Sequence, residues 1–486
     1  MTPPPPDPPP GCPSGPHDTP HDTPPASRPA APSDDAAARA LTADVVDLCS
    51  RLIRFDTSNY GGGEARGERE AAEWVAELLA DAGHTPVVLE SAPRRTSTVV
   101  RIPGTDPTAP ALLVHGHLDV VPAEASDWSF DPFCGEVRDG AVLGRGALDM
   151  KDMLAMMAAL VRSWAARGIR PPRDIVMAFV ADEEDTGELG AGFLVERHPQ
   201  LFDGVATAIG ESGGYSVRLP DAGLLYPIAV GERGSAWMNL TARGAAGHGS
   251  RPGGDNAVTA LARTLTALSA HRWPVRTVPA VATLLDGLSQ RLGFTVDPAD
   301  QASLARLGEA ARLVEATVSH TLNPTMLQAG YKHNVIPSEA VAGVDGRILP
   351  GAEDDFFATV DALLEDGVTR AFHNYAAPVA ADHTSPEFAA MAGALRRADP
   401  EALVLPFVMS GGTDAKAFSR LGIQCYGFGP PGRTPPGFDA WSYVHGVDEQ
   451  VLVSSLDFGV RVLEDFLLTD PRTASPEDPG TAPPRT

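Results

Sequence analysis

The chain has 486 residues, 43% hydrophobic and 21% charged, a composition ordinary for a soluble globular protein. That length exceeds the roughly 250–300 residues one hydrophobic core supports, so two domains are expected. A formal net charge of −25 argues against a nucleic-acid partner, which needs clustered positive charge to meet its phosphates.

Four scattered cysteines, Cys12, Cys49, Cys134 and Cys425, show no CxxC and no framework spacing, and read as reduced thiols. No apolar run approaches the roughly 18 residues of a membrane span, and the N-terminus has neither the basic nor the apolar part of a secretory signal. A cytoplasmic protein with no membrane partner is expected. The 38 lysines and arginines include only three lysines, Lys151, Lys332 and Lys416, each within two residues of a motif described below.

Residues 1–36 hold 14 prolines and too little apolar surface to order themselves, which predicts a disordered, partly polyproline-II tail. A helix is predicted over 41–54, from Leu41, Val45, Leu48 and Leu52 at helical spacing, and another over 70–82, stopped by Gly83. Strands follow at 96–102 and 111–115. An amphipathic helix over 150–167 closes at Gly168, and "DIVMAFVA" (174–181) suits a strand covered on both faces. A short strand, "VATAIG", completes the first part of a large domain, residues 37–231. Strands alternating with helices predict an α/β fold, a doubly wound and mostly parallel sheet.

Near Gly231 the pattern changes. "SAWMNLTARG" reads as a strand, "NAVTALARTLTALSA" as a helix, 300–318 as helical and 339–351 as a strand. Residues 232–346 are expected to form a smaller inserted α+β domain. The large domain then resumes over 347–468 with helix 354–367, strand 403–409, helix 414–421, strand 423–428 and a final helix from about 447 to 467. Residues 469–486 are expected to be a second disordered tail.

In open α/β sheets ligands bind beyond the carboxyl ends of the strands, and there this chain concentrates acids and histidines. "ALLVHGHLDVVP" runs from four apolar residues into His115, His117 and Asp119. A period of two puts His117 and Asp119 on one face, as a metal ligand with its orienting partner or as a satisfied strand-end pair. "VLGRGALDMKD" delivers Asp149 at a helix mouth, strand 174–181 ends in Asp182, Glu183, Glu184 and Asp185, and strand 205–210 ends in Glu211. Downstream, "VHGVDEQ" places His445 before the last helix. So much negative charge in one crevice is costly unless a cation offsets it. Two histidines and three carboxylates drawn from these segments offer the nitrogen and oxygen donors that suit zinc, and they outnumber the ligands of one tetrahedral ion. Five ligands fit two ions sharing a carboxylate.

The set "HGHLD", "GRGALDMKD", "ADEED", "GES", "GHGS", "SGGTDA" and "HGVDE", in this order, resembles the dizinc exopeptidase and amidohydrolase family. That family includes carboxypeptidase S, glutamate carboxypeptidase, aminoacylase and succinyl-diaminopimelate desuccinylase. The resemblance spans about residues 40–468, and "NPTMLQAGYKHNVIPSEAVAGVDGRILPG" is most similar to the carboxypeptidase S branch.

The resemblance implies two zinc ions, replaceable by cobalt or manganese, with Asp149 bridging. His117 and Glu211 complete one site, and Glu184 and His445 the other. Asp119 orients His117, and Glu183 is the general base. It further implies that the inserted domain is a lid that dimerises, with His248 reaching the partner's site as oxyanion donor. Asn334 and Arg347 would bind the substrate's free carboxylate, and Gly411, Gly412 and Thr413 would line that pocket. The implied activity is carboxypeptidase or dipeptidase action on short peptides, with aminoacylase-type removal of an N-acyl group as the alternative. A non-catalytic relative is disfavoured by the glutamate at 183. Asp185, Thr186 and Gly187 follow Glu184 where the family often has glycines, a departure that bears on substrate preference.

Overall fold

A computed structural model describes residues 34–251, 254–430 and 432–473. The expected tails lie mostly outside these residues. At both ends the described chain extends further than expected. The first helix begins at Asp34, and residues 469–473 are ordered, with Arg472 bound to Asp106 at 3.0 Å.

The main sheet runs, edge to edge, Val217–Leu219, Gly223–Glu232, Gln424–Gly427, Val205–Gly210, Ala111–His117, Ile175–Val180, Arg95–Ile102 and Val87–Ala92. Leu403–Met409 joins it alongside Gly223–Glu232. The centre is parallel, with Ala111–His117 between Ile175–Val180 and Val205–Gly210, while Arg95–Ile102 and Val87–Ala92 close one side antiparallel. The result is the expected α/β fold.

The apolar run 174–181 behaves as a two-faced strand should. Ile175, Met177 and Phe179 enter one core, and Val176, Ala178 and Val180 enter the other. The first core is filled by helices Asp34–Ile53, Lys151–Arg167 and Val453–Leu467. Lys151–Arg167 ends where Gly168 adopts φ +67°, the left-handed cap that favours glycine. No helix among the described residues is long and apolar enough to cross a membrane.

A second, four-stranded antiparallel sheet is ordered Thr321–Ala329, Glu339–Ile348, Gly234–Arg243, Val368–Ala376. Helices Ala257–Ala270 and Glu353–Leu363 cover one face around Leu261, Phe356 and Val360. This sheet corrects the expected boundary at 346, which falls inside a strand. Residues 353–376 pack with the small sheet, because Val368–Ala376 pairs antiparallel with Ser235 through Ala242 and carries helix Glu353–Leu363 with it. Conversely, helix Pro279–Leu292 belongs with the main sheet. Leu284 and Leu288 enter the first core, and Gly287 leaves room for Leu405.

Candidate metal centre

The carboxyl ends of the central strands converge on Asp149. His117 is the last residue of its strand, and its Nε2 lies 3.0 Å from Asp149 Oδ1. His445 follows helix Ala440–Tyr443, and its Nε2 lies 3.2 Å from Asp149 Oδ2 and 3.2 Å from Glu184 Oε2. Glu183 Oε2 and Glu211 Oε1 each stand 4.0 Å from His117 Nε2. All five expected ligands and Glu183 thus share one crevice, and Asp149 turns one oxygen to each histidine. Candidate ligand atoms of His117, Asp149 and Glu184, and of His117, Glu183 and Glu211, lie within 4.8 Å of one another.

These donors fit divalent cations. Glu184 Oε1 is buried and has no hydrogen-bond partner among the described residues, an expensive state for a carboxylate that a cation would relieve. Burial and then the charge of Glu211 push Glu183 well up, and burial followed by Asp149 does the same to Glu211. Hydrogen bonds to Asp149 and Glu184 raise His445 to about 10. Burial alone would lower His117, yet Asp149, Glu211 and Glu183 hold it well above the usual imidazole range. The cluster therefore gathers positive charge from whatever source is present. His117 Nδ1 lies 2.9 Å from the main-chain carbonyl of Asp119, so in the neutral ring that a cation would need, the proton sits on Nδ1 and Nε2 presents its lone pair to the crevice.

Asp119 acts less on His117 than expected. Its carboxylate is 3.8 Å from His117 Nδ1 and instead accepts from Asn59 at 2.9 Å and from the N–H groups of Glu183 and Glu184, each at 3.1 Å. Asp119 thus fixes the acidic loop. Behind it, buried Arg95 binds Asp182 at 2.5 Å, and Asp182 takes the N–H of Leu189 at 2.9 Å. Three non-glycine residues at or beside the candidate ligands have positive φ: Asp182 at +71°, Ser212 at +69° and His445 at +57°. Such conformations cost free energy and persist where the surroundings over-determine them.

Two buried residues carry no assigned role in the sequence pattern. Glu449 accepts from Arg145 at 2.6 Å and from the N–H groups of Gly146, Leu148 and Asp149 at 3.0, 2.8 and 3.3 Å. It clamps the loop that presents Asp149. Its only sequence signal is its place in "HGVDE", beside the candidate ligand His445. His115 is buried beneath Gly210, packs on Phe418 at 4.8 Å, and is lowered to about 3 by burial and then His117. It is a neutral core histidine.

Two cavities open from Glu183. One of about 320 Å³ is walled by Met153, Tyr215, Met409, Phe438 and Trp441, with Gly411, Gly412 and Thr413 at its rim. The other, about 500 Å³, lies between the acidic loop and the small sheet and includes Arg347, Gly412, Thr413 and Lys416. Thr413 is not free in this geometry, since its N–H and hydroxyl both go to Glu232, at 3.1 and 2.5 Å. Arg347 is gripped by Asp345 at 2.9 and 3.2 Å. His248 and Asn334 line neither cavity. They sit together on an exposed ladder where Gly249 N–H meets Asn334 O at 2.9 Å.

A family model described as "Peptidase family M20/M25/M40" matches residues 113–469. The chain belongs to this family. Human aminoacylase-1 is 30% identical over 392 residues, covering 77% of this chain and 84% of that protein. Among solved structures, an M20 family metallo-carboxypeptidase from Sulfolobus solfataricus shares the fold at a TM-score of 0.65 and 18% identity, over 87% of this chain and 98% of that one. A Bacillus subtilis protein described as a dinuclear metal binding peptidase of the M20 family matches at 0.55 and 14%, over 88% and 98%. The protein is thus a hydrolase of the M20 group, with a candidate metal site built from histidine and carboxylate donors.

Proposed function

We propose that this chain is a two-zinc hydrolase that cleaves an amide bond next to a free carboxylate. The observation that carries the reading is Asp149, whose two oxygens face His117 and His445 at 3.0 and 3.2 Å. Asp149 would bridge the ions, with His117 and Glu211 on one and His445 and Glu184 on the other. Nitrogen and oxygen donors without thiolate suit zinc, and cobalt or manganese would substitute.

Bound divalent ions acidify water and polarise a carbonyl. Glu183 stands at the mouth of both cavities and takes the proton from the attacking water. Lining both cavities, the same carboxyl is placed to return that proton to the leaving nitrogen. The main-chain carbonyl of Asp119 keeps His117 in one tautomer while its carboxylate holds the Glu183–Glu184 loop.

Peptides, as in a carboxypeptidase or dipeptidase, remain the first substrate class. The apolar wall of the 320 Å³ cavity also suits an acyl group, which supports aminoacylase-type deacylation as the second. His248 lies on an exposed ladder away from the cluster, which supports a homodimer in which each lid serves its partner's site. The outer strand Thr321–Ala329, with Met326 and Leu327 64% and 65% exposed, offers an apolar edge for that pairing. Free thiols at Cys49, Cys134 and Cys425 suit a reducing compartment, and the cytoplasm is the proposed setting.

The test is metal content per chain measured alongside a panel of dipeptides and N-acyl amino acids. About two ions and chelator-sensitive turnover on either class support the reading. Turnover that persists in metal-free protein overturns it.

A further inference from the structure

We infer that the group on the carbonyl side of the scissile amide is a bulky, uncharged apolar acyl, and that Trp441 is the residue that selects it. The inference rests on the amide-hydrolase reading above and takes its second substrate class. The 320 Å³ cavity opens on Glu183 and Glu211 and is walled by Met153, Met409, Phe438 and Trp441. Arg347 stands instead in the 500 Å³ cavity that shares Glu183, which sorts the substrate's carboxylate side there and its acyl side here. An apolar cavity of about 150 Å³ already takes a benzene-sized ring. An acetyl group therefore leaves most of the 320 Å³ unfilled, whereas a phenylacetyl or octanoyl group uses it.

The charges around the cavity argue against a charged acyl. Apart from the carboxylates of the metal centre, its charged lining residues are Asp152, Glu309, Asp439 and Arg312. Acids outnumber the single cation, so a carboxylate-tailed acyl would be repelled as well as desolvated. The outer acids are also engaged: Glu309 accepts the N–H of Arg218 at 3.2 Å, and Asp439 lies 3.8 Å from Arg312. Trp441 is fixed before any ligand arrives. Its ring meets Tyr215 edge-on at 5.3 Å, Arg312 lies 5.1 Å over it, and its main-chain N–H goes to Asp439 at 3.2 Å. Arg312 in turn sits on helix Ala311–Glu315, whose Leu313 and Val314 enter the core of the main sheet.

The experiment measures kcat/KM of the metal-loaded protein on N-acetyl-, N-butanoyl-, N-hexanoyl-, N-octanoyl-, N-phenylacetyl- and N-glutaryl-leucine, with alanyl-leucine alongside. Values are expected to rise about two- to fourfold per added methylene until the cavity is filled. N-glutaryl-leucine should fall about tenfold or more below N-hexanoyl-leucine. Trp441→Ala should lower the octanoyl-to-acetyl ratio about 10- to 100-fold, and Trp441→Phe should keep most of it. Metal content and thermal unfolding are recorded for both variants, because His445 lies four residues on. The wild-type series decides the substrate class whatever the stability of the variants. An unchanged ratio in folded, metal-loaded Trp441→Ala overturns the assignment to Trp441. A wild type that cleaves N-acetyl-leucine or alanyl-leucine at least as well as every bulkier acyl overturns the inference and leaves the parent reading standing. Turnover of none of these substrates by protein holding its metal removes the parent reading and the inference with it.

Discussion

Glu449 accepts the main-chain N–H of Asp149 at 3.3 Å across 300 positions of sequence, and the same carboxylate takes the N–H of Leu148 at 2.8 Å. The residue facing both candidate metal sites is thus aimed by an acid from the far end of the chain. Every group that Glu449 meets is a donor. Glu449→Gln would turn an amide NH₂ onto donors and leave buried Arg145 without its counter-charge. The expected result is about 10- to 100-fold weaker metal binding and a loss of about 3–5 kcal/mol in stability. Metal titration and denaturant unfolding measure the two, and wild-type values in both would show that Asp149 needs no clamp.

Glu183 differs from its neighbour Glu184 in what it faces. Glu184 meets His445 at 3.2 Å, whereas Glu183 stands 4.0 Å from His117 and lines both cavities. Glu183→Gln should keep the metal and the fold while kcat falls about 10²- to 10⁴-fold, the range a positioned acid–base group supplies. Equal loss of metal and turnover would instead place Glu183 among the ligands.

Removing the ions should weaken the fold as well as stop turnover. Asp149, Glu183, Glu184 and Glu211 crowd one crevice on loops from three strand ends, so cations bound there stabilise the native state alone. Free metal at about 100 times its Kd adds about 2.7 kcal/mol, enough to move Tm by several degrees. Scanning calorimetry with chelator, then with zinc, cobalt or manganese returned, checks this. An unchanged melting profile in protein shown to be metal-free would mean that the acids bear their proximity unaided.

Much of this site was legible because it follows from strand geometry. A run of apolar residues ending in His117 and Asp119, repeated as acids at the next strand exits, locates a crevice without any tertiary information. What stayed hidden depends on which sheet a segment joins and which partner a side chain meets. Val368–Ala376 is mostly exposed and alternates too weakly to announce a strand, so the pattern alone assigns the helix before it to the wrong sheet. The clamp by Glu449 spans the molecule and leaves no local pattern. Asp119 was correctly placed beside His117, but no periodicity could show that its carboxylate would turn to the Glu183 and Glu184 N–H groups.

His248 provides the sharpest test of assembly, because its exposed ladder with Val335 lies apart from the crevice that holds Glu183. If a second chain supplies it, each active site needs Glu183 from one subunit and His248 from the other. Glu183→Ala and His248→Ala proteins, each nearly inactive, should then regain activity when subunits exchange. Random reassortment makes half the dimers mixed, each with one intact site, so recovery should reach about a quarter of wild type. Mass spectrometry of differently tagged chains confirms the exchange. Verified exchange with no recovery would confine His248 to its own chain or remove it from catalysis.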